Sequence, residues 1–117
     1  QDPERATYAP LLTRSHGRID WRLPALEIDA LVRGLTPWPG AFTFCGQARW
    51  KILAARAVES DAPAAPGTVV PGFADELWVM TGKGVLVVDR IQAAAGKPLT
   101  AAQFLRGTPV PLGTCLG

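Results

Sequence analysis

The sequence is poor in the residues that most often carry chemistry. It has one histidine, His16, and two cysteines, Cys45 and Cys115, in three separate segments. That set is too small and too scattered for a tetrahedral metal site, so no metal is expected. His16 directly follows Ser15 in a stretch without regular period. A Ser–His pair needs a rigid frame and an orienting acid, which neighbouring loop residues do not supply. No Gly-x-Ser-x-Gly occurs. Gly82-Lys83-Gly84 lacks the glycine spacing and the following helix of a phosphate loop, and reads as a hairpin turn. Asp75 and Glu76 are adjacent at a turn, point apart and read as solvated. Nothing assembles a general acid with a base, so the chain is not expected to be an enzyme by itself. Long hydrophobic runs are absent too: none approaches the roughly 18 residues that cross a bilayer, and no signal-peptide pattern opens the chain. The expectation is a soluble, cytoplasmic protein with reduced thiols and no membrane partner.

What is present is ordinary for a globular domain. The 117 residues are 48% apolar and 19% charged, enough for one self-contained core. The chain begins with Gln1 rather than Met, and the expectation is a piece of a longer polypeptide whose other part holds the chemistry. Residues 1–22, with Pro3, Pro10 and Gly17, read as a linker or lead-in lying on a surface. From Pro24 onward Ile28, Leu31, Val32 and Leu35 fall at i, i+3, i+4, i+7 and predict a helix over 24–34, closed by Gly34.

In TPWPGAFTFCG (36–46) the two prolines push the chain out of helix, and Gly40 bends it into a strand. Trp38 reads as a brace at that joint in preference to a ligand platform. The period then drops to two. AFTFC (41–45), a turn at Gly46-Gln47 and RWKILAARAV (49–58) predict a strand pair. In the second strand Trp50, Ile52 and Ala54 share one side, and Arg49, Lys51 and Leu53 the other. ESDAPAAP (59–66) is a loop and GTVVPG (67–72) a short strand. ELWVM (76–80), TGKG (81–84) and VLVVDRI (85–91) form a hairpin. Thr100 and Gln103 make a capping box for a short helix that Gly107 ends, and TPVPLGTCLG reads as an irregular tail. Trp21 and Trp78 read as packing residues and Cys45 as a buried thiol. About five or six short strands without helical crossovers imply a mainly β fold: a small antiparallel barrel of the OB type, with one amphipathic helix before it and a short one near the end.

The net charge is only +2, but its distribution is uneven. Residues 46–56 carry Arg49, Lys51 and Arg56 without an acid. Residues 83–106 carry Lys83, Arg90, Lys97 and Arg106 against Asp89 alone, while 57–82 hold acids without a base. If 49–58 and 85–91 are neighbouring strands, one wall of the barrel is basic. That is either a nucleic-acid backbone footprint or the solvated face of ordinary strands. Arginine makes up nine of the twelve basic residues, and its planar fork suits phosphate.

ATYAPLLTR (6–14), RIDWRLPA (18–25), LVRGLTPWPGAFT (31–43), KILAA (51–55), PGTVV (66–70) and AAQFLRG (101–107), with a terminal LG, run in order along nearly the whole chain. Together they resemble the C-terminal domains of the methionyl-tRNA formyltransferase family. The resemblance implies an OB-like domain over 23–117, joined by the 1–22 lead-in to an N-terminal catalytic domain. That domain binds 10-formyltetrahydrofolate and carries the Asn, His and Asp that transfer the formyl group to the methionyl amino group. None of that set maps onto this chain, so no cofactor is expected in it. The implied role here is to hold initiator tRNA on a basic surface, the protein being a monomer. Candidate phosphate contacts are Arg49, Lys51 and Arg90, then Arg18, Arg33, Lys83 and Lys97. Asp20, Trp21 and the Pro-Gly-Ala-Phe-Thr turn are shared with formyltransferases of other substrates. A structural lid in a sugar-nucleotide formyltransferase, or another enzyme that uses 10-formyltetrahydrofolate, therefore stays open as the alternative.

Overall fold

A computed structural model of the protein describes residues 17–35, 40–60, 64–72, 75–94 and 96–117. The expectations for Trp38 and His16 lie outside the described residues. Helix α1 (Ala25–Leu35) buries Ile28, Val32 and Leu35, the stripe its periodicity predicts. Gly34 stays helical and does not close it. The chain turns later, at Gly40 (φ 92°), whose N–H donates to the Leu35 carbonyl at 2.8 Å.

Six strands follow: β1 (Ala41–Cys45), β2 (Ala48–Val58), β3 (Val69–Val70), β4 (Leu77–Met80), β5 (Val85–Ala93) and β6 (Leu99–Thr100). They form one antiparallel sheet in the order β1-β2-β5-β4-β3, with β6 on β5, curled into a half-barrel. Helix α1 covers its inner face, and β2 and β5 are neighbours along most of their length. Their register breaks between Ile52 and Ala55, where Leu53 on one strand and Asp89 on the other have no partner. Bulges of this kind bend and twist a strand. They also reset its faces. Trp50 and Ile52 point to the core, but beyond the irregularity Ala55 packs there and Ala54 does not. This corrects the simple alternation expected for 49–58, because an extra residue shifts every later side chain.

Val85, Leu86, Val87 and Val88 are all at most 1% exposed. Leu86 and Val88 join the main core; Val85 and Val87 join a small cluster with Val70 and Met80, edged by Val58, Ala64 and Trp78. A strand covered on both sides reads as a continuous apolar run. After it, Thr100 accepts from the Gln103 N–H (3.2 Å) and its own N–H donates to Gln103 Oε1 (3.0 Å). This capping box starts helix α2 (Ala101–Gly107), which presses Phe104 edge-on against Trp50 with ring centres 5.0 Å apart.

One expectation is corrected at the start of the described residues, and one is sharpened at the end. The lead-in up to residue 22 is expected on the surface, yet Ile19 is only 4% exposed, as is Trp21, which its residue type already marks for packing. The Trp21 indole N–H donates to the Thr43 hydroxyl at 2.9 Å inside the core. Two inward residues among Gly, Arg and Asp are too short a pattern to show a period. The tail carries no helix or strand, as expected, but hydrogen bonds pin it to the sheet. Gly113 and Thr114 pair with Val69, and Leu116 with Gly67, each at 2.8 Å, and the Gly117 N–H reaches the Phe44 carbonyl at 2.9 Å. The tail thus runs from the exposed edge of β3 to that of β1, where the Ile19 N–H also pairs with the Phe42 carbonyl at 2.8 Å. Covering both edges removes the unpaired donors and acceptors that invite aggregation. Gly67 (φ 91°) is required at this seam, since a Cβ there would sit 2.6 Å from the Leu116 carbonyl oxygen. Cys45 is half-buried against the core, Cys115 is exposed, and both are free thiols.

Candidate nucleic-acid interface

The Gly46-Gln47 turn sets the register Cys45↔Ala48, Phe44↔Arg49, Thr43↔Trp50, Phe42↔Lys51. Directly opposed residues share a face, so with Trp50 and Thr43 directed inward, Phe42, Phe44, Arg49 and Lys51 share the outer one. The Arg49 guanidinium lies over the Phe42 ring at 4.1 Å and the Arg18 guanidinium over Phe44 at 5.0 Å. The two rings meet edge to face at 5.8 Å. A cation over a π face gains roughly 0.5–1 kcal/mol at exposed sites, and the contact fixes where the planar fork points. Arg18 also donates to the Gly117 carbonyl. The Lys51 stem crosses the bare backbone of Gly40, where a Cβ would fall 2.1 Å from Cε.

The outer face continues across β5. Lys51 is opposite Gln92, and exposed Arg90 is opposite Thr100 on β6. The Gln92 amide donates to the Gly96 carbonyl at 2.9 Å and draws the loop bearing exposed Lys97 alongside. Arg18, Arg49, Lys51, Arg90 and Lys97 are therefore brought to one side of the sheet. Among the described residues, no carboxylate forms an ion pair with any of these five.

Arg33 and Lys83 are not brought there. Arg33 is on α1, against the sheet's other face, and pairs with Asp29 at 3.5 Å. Lys83 is in the β4–β5 turn, where its carbonyl accepts the Ala25 N–H at 2.9 Å. It stands seven residues before Arg90, about 23 Å along an extended strand. Thr81 closes that turn through its hydroxyl, which donates to the carbonyls of Lys83 (2.8 Å) and Gly84 (2.7 Å). The Gly-Lys-Gly segment is thus a structural hairpin.

Arg56, counted with the basic strand from sequence, is neutralised. It contacts Glu76 at 2.7 Å and Asp89 at 3.3 Å. Glu76 also accepts the Trp78 indole N–H at 2.8 Å, which corrects the expectation that it is merely solvated. The Trp78 N–H, then Arg56, holds the Glu76 carboxyl below the usual glutamate range, and Glu76 in turn raises the Arg56 guanidinium. Among the described residues, the unpaired cations of this face thus lie away from the Arg56 end of β2. The aromatic underlay of the site was not singled out from sequence. The signal was available: a two-residue turn between Phe-x-Phe and Arg-x-Lys places each aromatic against a cation.

Among the described residues no three His, Cys, Asp or Glu side chains gather as a metal site, and no helix is long and apolar enough to cross a membrane. Residues 11–109 match the family described as formyl transferase, C-terminal domain. The chain belongs to that family. This formyl transferase C-terminal domain is 47% identical to the methionyl-tRNA formyltransferase of Gluconobacter oxydans, over 99% of its own length and 38% of that relative. It is 49% identical to the one of Gluconacetobacter diazotrophicus, over 100% and 37%. The domain therefore spans little more than a third of these relatives. Among solved structures, HypX from Aquifex aeolicus in complex with tetrahydrofolic acid superimposes with a TM-score of 0.66 at 15% identity, covering 88% of the domain and 21% of HypX. That likeness is one of fold.

Proposed function

We propose that this domain serves a methionyl-tRNA formyltransferase and holds initiator tRNA by its phosphate backbone on the outer face of β1, β2 and β5. Arg18, Arg49, Lys51, Arg90 and Lys97 make the contacts; Arg33 and Lys83 are outlying positions. An N-terminal catalytic domain, reached through the lead-in, binds 10-formyltetrahydrofolate and transfers the formyl group to the methionyl amino group. The present domain contributes no reacting group. It holds the RNA so that the acceptor end meets that chemistry, turning a two-body encounter into a positioned one.

The observation that carries this reading is the row of cations that have no carboxylate partner among the described residues, set against the neutralised Arg56 end. Phosphate contacts of this kind position an RNA without reading its sequence. The relatives' name supports tRNA over a sugar-nucleotide substrate. Five phosphate contacts imply that affinity falls roughly 100- to 500-fold between 50 and 200 mM salt. The test is the double charge reversal R49E/K51E in the full-length enzyme. KM for tRNA should rise at least about tenfold with kcat retained, and the salt slope should become shallower by about two. An unchanged KM in a folded variant refutes the assignment.

A further inference from the structure

We propose that the groove beside the β1–β2 turn takes one unpaired nucleotide of the bound RNA. Its base would lie on the Arg18–Phe44 layer with its edge met by the Gln47 amide; the proposal rests on the tRNA reading above. The groove has a volume of about 590 Å³ and lies between Arg18 and Phe44, the Gly46-Gln47 turn and the 115–117 tail. The groove is shallow and open, wide enough for the flat face of a single base. One wall is a planar cation over an aromatic ring, held in place by the Gly117 carbonyl. Guanidinium and phenyl planes are the surfaces on which RNA-binding proteins stack unpaired bases, whereas a paired base hides both its faces in the helix.

Among the described residues, no atom lies within 4 Å of where a Gly46 side chain would begin, so the turn leaves space at this edge of the groove. Gln47, exposed on that turn, offers both an amide donor and a carbonyl acceptor, which suits a base edge. A bare phosphate would need neither the flat layer nor the amide. The phosphate row of Arg49, Lys51 and Arg90 begins on the same face, so a strand lying along it has a splayed base within reach of the groove.

Cys115 is an exposed thiol on the groove wall, so its modification reports occupancy. In the full-length protein, alkylation of Cys115 by iodoacetamide is followed by peptide mass spectrometry, with half-buried Cys45 as internal reference. A single-stranded RNA trinucleotide should slow Cys115 labelling at least about fivefold. A blunt RNA duplex or inorganic phosphate at equal concentration should not. Q47A, and R18K, which keeps the charge but loses the plane, should each raise the concentration for half-protection about tenfold, as expected for losing one stacked or edge-bonded base. No slowing, equal slowing by duplex or phosphate, or unaltered protection in both variants overturns the proposal. The same measurement in R49E/K51E separates the two readings. An unmoved KM there sinks the backbone contact, while Cys115 protection still decides the groove.

Discussion

Replacing Thr43 by valine removes the acceptor for the Trp21 indole N–H and little else. Thr43 is fully buried, Trp21 is 4% exposed, and their hydrogen bond is 2.9 Å long. The variant leaves a donor in the core without a partner and without water, a loss of about 1–3 kcal/mol. W21F leaves the hydroxyl unpaired instead and adds the cavity of a smaller ring, so it should cost more than T43V. In the double variant W21F/T43V neither polar group remains. The two losses should therefore fall short of additivity by about 1–2 kcal/mol. Urea denaturation of the chain, followed by circular dichroism, reads this directly. With a slope of about 1.5 kcal/mol/M, a 2 kcal/mol loss moves the midpoint by roughly 1.3 M without changing the slope. The bond also docks residues 17–21 along β1, and with them Arg18 over Phe44, so on the proposed tRNA reading T43V should weaken tRNA binding slightly although Thr43 is itself buried. A T43V midpoint equal to wild type, or a strictly additive cycle, would show that this bond does not tie the lead-in to the sheet.

T100A removes one arm of the capping box at α2 and should cost about 0.5–2 kcal/mol; T100S should recover most of it, and equal stability of all three proteins refutes the cap's role. The Glu76 carboxyl is held low by the Trp78 N–H and then by Arg56. Because its folded pKa lies below the unfolded one, its contribution is present above the unfolded value and is lost as pH falls through the folded value. The stability gap between wild type and E76Q should therefore be flat near neutrality and shrink in the acid range. Urea midpoints at several pH values check this, and a gap that widens on acidification contradicts it.

Features written within a few residues were readable before the fold was known. The apolar stripe of α1 needs only the spacing of Ile28, Val32 and Leu35, and the Thr100–Gln103 box spans a single turn. The β4–β5 hairpin announces itself by two apolar runs about Gly82-Lys83-Gly84. Interactions between distant segments were not readable. Arg56 looked like a free cation until Glu76, twenty residues on, and Asp89 were found beside it. Ile19 looked like a linker residue because its partners lie on β1 and in the core, whereas Trp21 was readable as a packing residue from its type alone. The bulge left no mark either, since Leu53 and Ala54 are as compatible with unbroken alternation as with a shift.

The amino-acid order alone thus determined the mainly β class, the two helices among the described residues, the hairpin turns and the family resemblance, because each rests on local period or on short motifs in sequence. It also held the register of Phe42 and Phe44 against Lys51 and Arg49, since a two-residue turn leaves a strand pair little choice. Only the tertiary structure decided which cations find a carboxylate partner among the described residues. Charge compensation depends on contacts across the sheet, and those depend on strand order, on the register shift in β2 and β5, and on a tail that closes from β3 to β1.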